Sequence, residues 1–137
     1  MFEKFAVRMG ITEVIGLTAE FLNKIAIDAE KVGTNFSDYF GFRLESKSKL
    51  EREFLTLDGA IIYRVGQGLI QLEIRPVQNM QTRVYDTLDF KITFLTNQKC
   101  SVAKGLADLK TVFMEGHKHI EDAFVTSLSD KYWRTIQ

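Results

Sequence analysis

The clearest pattern in the sequence is an alternation of apolar and polar residues between Phe54 and Arg75. Alternation with period two is typical of β-strands that bury one face. Two short glycine-containing segments, Asp58-Gly59 and Gly66–Gly68, interrupt it. An Asp-Gly pair favours a two-residue hairpin turn, and three residues with glycine favour a slightly longer one. The pattern therefore predicts three consecutive antiparallel strands joined by two tight turns.

The two predicted turns also determine which residues face each other. The first turn places Leu57 opposite Ala60. The second places Val65 opposite Leu69. Because side chains alternate between the two faces of a strand, both turns assign one common set of apolar residues to the inner face. That set is Leu55, Leu57, Ala60, Ile62, Ile70, Leu72 and Ile74, with Gln71, Glu73 and Arg75 on the other face.

Three large apolar residues fall on the outer face in this register, namely Phe54, Ile61 and Tyr63. Phe54 would lie directly opposite Tyr63. One interpretation is that another element, such as an N-terminal helix, covers this corner of the sheet. The other is that the three side chains form an exposed apolar patch that binds a partner or a second copy of the chain.

Two more strands are predicted, over residues 40–45 and 83–95, because apolar and polar residues alternate in both segments. Pro76 is expected to end the third of the central strands just after Arg75, since proline cannot donate a hydrogen bond to a ladder. Residues 50–57 fit either a strand or a short helix, and the Asp-Gly turn that follows favours a strand at the Phe54 end.

Helices are predicted at both ends of the chain. Residues 2–9 have helical spacing, and a second helix begins at the N-cap Thr12 and ends at Gly33. Its apolar stripe consists of Val14, Leu17, Phe21 and Ile25. The C-terminal helix begins after Ser101 and continues almost to the end of the chain.

The C-terminal helix is predicted to be longer than the domain is wide. About 35 helical residues would span roughly 50 Å. A domain of this length has a diameter of about 37 Å. Either the helix kinks or breaks near Gly116, or its end projects into a partner. The predicted fold is a single α+β domain over residues 1–137, an antiparallel meander of about five strands flanked by an N-terminal helix and the long C-terminal helix.

Composition narrows the function classes. The 18 basic and 18 acidic residues give a net charge of zero, which disfavours nucleic-acid binding. The chain has one cysteine, Cys100, which fits a reducing cytosol. The N-terminus does not resemble a secretory signal, and the sequence has no run of 18 apolar residues. We therefore expect a cytoplasmic protein without a membrane span.

Three polar residues occupy unusual positions for their type. The predicted register pairs Glu53 with Arg64 on the inner face, either as an ion pair at the rim of the core or as an anchor for an anionic ligand. His117 falls on the apolar stripe of the C-terminal helix, either as a core histidine or as a general base. His119 lies about 200° away on that helix, so the two histidines are not expected to share a metal ion.

The sequence predicts a small cytosolic protein-interaction module of the inhibitor, immunity, adaptor or chaperone type. It would bind another protein, form a homodimer, or both, through Phe54, Ile61 and Tyr63. The alternative is a small-molecule-binding protein or enzyme with a pocket between the inner sheet face and the C-terminal helix, lined by Glu53, Arg64 and His117. An enzyme is the less favoured class, because no catalytic, metal or cofactor motif stands out.

Overall fold

The apolar alternation in the middle of the chain forms an antiparallel sheet, and the apolar stripe near the C-terminus forms a long helix packed on one face of that sheet. The protein therefore has an α+β fold, as predicted. A computed structural model describes residues 4, 8–10, 12–26, 39–41, 59–102 and 107–137. The strands are β1 (Glu13–Val14), β2 (Leu17–Ala26), β3 (Gly59–Val65), β4 (Gly68–Gln78), β5 (Tyr85–Thr96) and β6 (Cys100–Ser101). The helices are α1 (Ala107–Ser127) and α2 (Asp130–Ile136).

The main sheet has the strand order β2-β5-β4-β3, with every neighbouring pair antiparallel. Strands β3, β4 and β5 form the predicted meander, and β2 is added along the free side of β5. The short strands β1 and β6 pair separately. Four strands in the main sheet come close to the five that were predicted. Residues 42–58, which include the predicted strand pairing at Phe54, lie outside the described ranges.

The helix predicted from Thr12 onward is wrong over residues 13–26, where the chain forms β1 and β2. Leu17, Phe21 and Ile25 are four residues apart, a spacing that fits one helix face and also one strand face. All ten residues of β2 pair with β5, so tertiary pairing decides between the two periods. Lys4 and Arg8 have helical backbones, and the predicted end of that second helix at Gly33 is outside the described residues.

The turn between β3 and β4 has two residues, Gly66 and Gln67, instead of the predicted three. Gly66 has a φ of +50°, a conformation that favours glycine. Gly68 is already a strand residue, and it faces Val65. The Thr96 hydroxyl donates a hydrogen bond to the Gln67 carbonyl at 3.2 Å, which attaches the turn to β5.

This one-residue difference moves every side chain of β3 to the opposite face from the one predicted. Ile61 and Tyr63 lie on the inner face, the face against which α1 packs, opposite Leu72 and Ile70. The predicted inner-face residues Ala60, Ile62 and Arg64 lie on the outer face instead. Of the predicted turn at Asp58-Gly59, only Gly59 lies within the described residues, and it belongs to β3 and pairs with Ile74. The predicted inner positions of Ile70, Leu72 and Ile74 are confirmed.

Contrary to the prediction, Pro76 does not end its strand. It lies within β4, opposite Leu88 of β5. On its other side, the described part of β3 reaches only as far as Ile74, so no described residue of β3 lies opposite Pro76. A proline is tolerated in a strand where its missing N–H faces no partner strand. The predicted strand at residues 83–95 is confirmed as β5, which runs from Tyr85 to Thr96.

The helix α1 crosses the inner face, mainly over β5 and β2, and is not broken at Gly116. Its buried positions are Val112, Gly116, Ile120, Ala123 and Ser127. At Gly116 an added Cβ would lie 2.5 Å from Phe94 Cδ1, so glycine allows the helix to approach that ring closely. The same ring lies 2.6 Å from the position of a Cβ at Gly68. Two glycines thus accommodate one buried Phe94.

The predicted long helix ends at Ser127, where the chain meets the segment 39–41. Gly41 N–H donates to the Ser127 carbonyl, and Ser129 N–H donates to the Tyr39 carbonyl, both at 2.9 Å. Ser129 then caps α2, because its hydroxyl accepts a hydrogen bond from the Tyr132 N–H at 3.1 Å. Backbone pairing with another segment, and not a glycine, therefore ends the helix.

Candidate protein-interaction surface

Among the described strands, β3 lies at one edge of the main sheet, and six of its seven residues are exposed. The exposed fractions are 42% for Ile61, 59% for Ile62 and 37% for Tyr63. Within the described ranges β3 is paired with β4 alone. An apolar strand edge of this kind is a template for pairing with another chain. We call residues 59–65 and their outward backbone groups the β3 edge.

Two apolar side chains of the β3 edge continue the inner face of the sheet. Ile61 lies beside Leu72, and Tyr63 lies beside Ile70. Both neighbours on β4 are buried, whereas α1 contacts mainly β5 and β2. Partial burial of the Tyr63 ring raises the pKa of its phenol. An added strand would therefore meet the exposed end of an apolar row that begins in the core.

On the outer face of the sheet, the β3 edge lies beside polar and charged residues of β4. Ile62 lies beside Gln71, and Ala60 lies beside Glu73. The Glu73 Oε2 atom is 2.6 Å from the Lys91 Nζ atom on β5. This hydrogen bond lowers the pKa of the Glu73 carboxyl and raises the pKa of the Lys91 ammonium. The Glu73 carboxylate, opposite Ala60 on the neighbouring strand, is thus ionised at neutral pH and lies one strand away from the edge.

The structure places the predicted contact residues only in part. Ile61 and Tyr63 are neighbours on the β3 edge, but on the inner face and not on the outer face as predicted. Phe54 lies outside the described residues. Ile62 is more exposed than either and was missed, because the predicted three-residue turn assigned it to the core. Reading the turn as Gly66-Gln67 alone would have placed all three correctly.

The structure does not bring the residues of the predicted ligand pocket together. Arg64 lies on the outer face, opposite Leu69. His117 is on α1, which covers the inner face, and its side chain is 56% exposed. Its Nε2 atom lies 3.2 Å from Glu121 Oε1, one helical turn away. The third residue, Glu53, is outside the described ranges.

His119, which was predicted to lie on the polar side of the helix, faces the sheet instead. Its ring stacks on Phe94 with a centroid distance of 5.7 Å, and its side chain is only 25% exposed. The buried positions Gly116, Ile120 and Ala123 surround residue 119 on the helix surface. The sequence places Phe113 and His117 on the apolar stripe, yet Phe113 is half exposed. In this part of the helix the buried face lies one residue away, at Val112 and Gly116.

An open groove of about 470 Å³ lies near the junction of α1 and α2. It is lined by Glu121, Asp122, Phe124, Val125, Thr126 and Trp133. None of these residues belongs to the predicted pocket or to the β3 edge. In the part of the chain that the structure describes, no three His, Cys, Asp or Glu side chains are grouped to hold a metal ion. No described helix is both long and apolar enough to cross a membrane.

Comparisons of the chain with protein-family models, with curated proteins and with solved structures found no match.

Proposed function

We propose that the protein is a small protein-interaction module that recognises its partner by accepting a strand at the β3 edge. The observation that supports this proposal is the exposure of Ile61, Ile62 and Tyr63 on a strand that has one described neighbour. Cytoplasmic inhibitors, immunity proteins, adaptors and chaperones are the kinds of protein in which we would place it.

Strand addition explains how such a surface would bind. The backbone N–H and C=O groups along the outward side of β3 would form a ladder with the partner strand and supply most of the affinity. Side chains would supply specificity, because alternate residues face opposite sides of the extended sheet. Ile61 and Tyr63 would contact the partner on the inner face, and Ile62 would contact it on the outer face.

Site-specific photo-crosslinking tests this proposal. A photoreactive benzophenone residue replaces either Ile62 on β3 or Leu22 on β2, and each chain is irradiated in cells of its host. The two sites are matched, because Leu22 is 54% exposed and also lies on the outer face of an edge strand. We expect protein adducts from position 62, whether to a different protein or to a second copy. Adducts from position 22 alone, or from neither position, would contradict the proposal.

A further inference from the structure

We infer that the strand accepted by the β3 edge is β3 of a second copy of the chain, paired antiparallel to form an eight-stranded sheet across two molecules. This inference rests on the proposed function, since it names the partner of the same surface. The supporting observation is that β3, GAIIYRV, has Ile62 at its centre with Ile61 and Tyr63 on either side, so an antiparallel copy places Ile61 of each chain opposite Tyr63 of the other.

Symmetry restricts how two such strands can meet. A two-fold axis perpendicular to the sheet pairs each strand with an antiparallel copy and keeps the inner faces on the same side. In that arrangement the axis passes through a residue position, because paired residues must point to the same face. An axis at Ile62, the central residue of β3, pairs all seven residues of the strand. Gly59 of each copy then lies opposite Val65 of the other copy.

On the inner face, this register places Ile61 opposite Tyr63 of the second copy, and the reverse pair forms on the other side of the axis. Pairs of an aromatic and a β-branched residue are among the favourable cross-strand combinations. Each pair also extends a buried row. Ile61 already adjoins Leu72, and Leu72 adjoins Ile92 on β5. The dimer would therefore cover apolar surface that α1 leaves open.

On the outer face, the same register places Arg64 of one copy opposite Ala60 of the other. The next residue along that row is Glu73, which pairs with Ala60 on β4. Because the alanine side chain is short, the long arginine side chain can extend across it towards the ionised Glu73. An axis at Arg64 would instead place two arginines directly opposite each other, which is unfavourable. Charge therefore disfavours an axis at Arg64, and the pairing of all seven residues favours the axis at Ile62.

Disulfide trapping tests both the partner and the register. In the proposed dimer, Ile62→Cys places two cysteines opposite each other across the axis, within the Cα separation of about 4.4–6.8 Å that a disulfide needs. Leu22→Cys is the matched control on the other edge strand. The native Cys100 is buried and so is not expected to compete. We expect the Ile62→Cys chain to form covalent dimers at least about tenfold faster than the control, because pairing raises the effective thiol concentration.

A mixed experiment checks the register. Tagged Ile61→Cys and untagged Tyr63→Cys chains should crosslink to each other faster than either crosslinks to itself, since positions 61 and 63 face each other. Unmodified chain should also show a concentration-dependent rise towards the mass of two chains in sedimentation equilibrium. Equal trapping at positions 62 and 22, or a single-chain mass at all concentrations, would overturn the dimer. If adducts of position 62 to a different protein still form, only the dimer fails. If these are also missing, the proposed function fails with it.

Discussion

The two edges of the main sheet are built differently, although β2 and β3 are both exposed along the strand. On the outer face, β2 carries Glu20 and Lys24 on either side of Leu22. On its inner face, Phe21 packs edge-on against Phe124 of α1 at a centroid distance of 5.4 Å. Charged side chains and a covering helix are two ways in which proteins prevent unwanted pairing of an edge strand. The β2 edge uses both.

Among the residues that the structure describes, the β3 edge has neither protection to the same degree. Arg64 is its one charged residue, and α1 contacts mainly the strands on the other side of the sheet. This difference supports the proposal that β3, and not β2, is the edge that contacts another chain.

The largest expected effect concerns what each edge contributes to the stability of the monomer. Ile25 on β2 is fully buried, so Ile25→Ala should lower the free energy of unfolding by about 2–5 kcal/mol. Ile61→Ala on β3 should lower it by less than about 1 kcal/mol, since much of that side chain is already in water. Urea denaturation at low protein concentration measures both values. Equal losses would contradict the assignment of β3 as the open edge.

A second comparison concerns two glycines. Gly116→Ala should cause a net loss of up to about 2 kcal/mol, because strain against Phe94 outweighs the roughly 1 kcal/mol that alanine gains in a helix. Gly59 on β3 has nothing within 4 Å of an added Cβ. Gly59→Ala should therefore stabilise the protein by about 0.5 kcal/mol. Thermal unfolding of the two variants checks this, and a stabilising Gly116→Ala would show that α1 does not approach Phe94 closely.

A third comparison concerns association. Ile62→Lys should weaken the dimer at least about tenfold, because the axis would place two lysines opposite each other and remove apolar contact. Leu22→Lys should leave the dimer unchanged. Both substitutions are at exposed sites, so the free energy of unfolding of the monomer should change by no more than about 0.5 kcal/mol. Sedimentation equilibrium gives the association constants. A dimer that is weakened by Leu22→Lys and not by Ile62→Lys would reverse the roles of the two edges.

The smallest expected effect concerns acid. Because the Lys91 hydrogen bond lowers the pKa of Glu73, the pair stabilises the folded chain above the ordinary pKa of a glutamate. This contribution should disappear as the pH falls through the lowered pKa of the folded state. Lys91→Gln should therefore make stability less dependent on pH in the acid range. Denaturation midpoints between pH 3 and 7 test this, and an unchanged slope in the variant would contradict it.

The sequence was most informative for the central strands. In β4 and β5 the alternation places Ile70, Leu72, Phe90 and Ile92 in the core, and no competing period fits those segments. In β2 the spacing of Leu17, Phe21 and Ile25 fits a helix equally well, and only the pairing with β5 resolves it. A local pattern cannot contain that information, since the partner strand is far away along the chain.

The sequence could predict which strand carries the candidate surface, but not which face of the sheet each of its side chains is on. Ile61 and Tyr63 were identified, while Ile62 was assigned to the core because of one residue in a turn. Turn length depends on the left-handed conformation of Gly66 and on the hydrogen bond from Thr96, both of which are set by tertiary structure. The helical phase of α1 was misjudged for a related reason, since Gly116 is buried for its small size and not for its hydrophobicity.

The most direct test of the difference between the two edges is hydrogen exchange of the backbone amides, measured as a function of protein concentration. Exchange of the β3 amides should slow as the concentration rises, while exchange of the β2 amides should stay the same. Exchange that is independent of concentration in β3, or protection that develops in β2 instead, would contradict that difference.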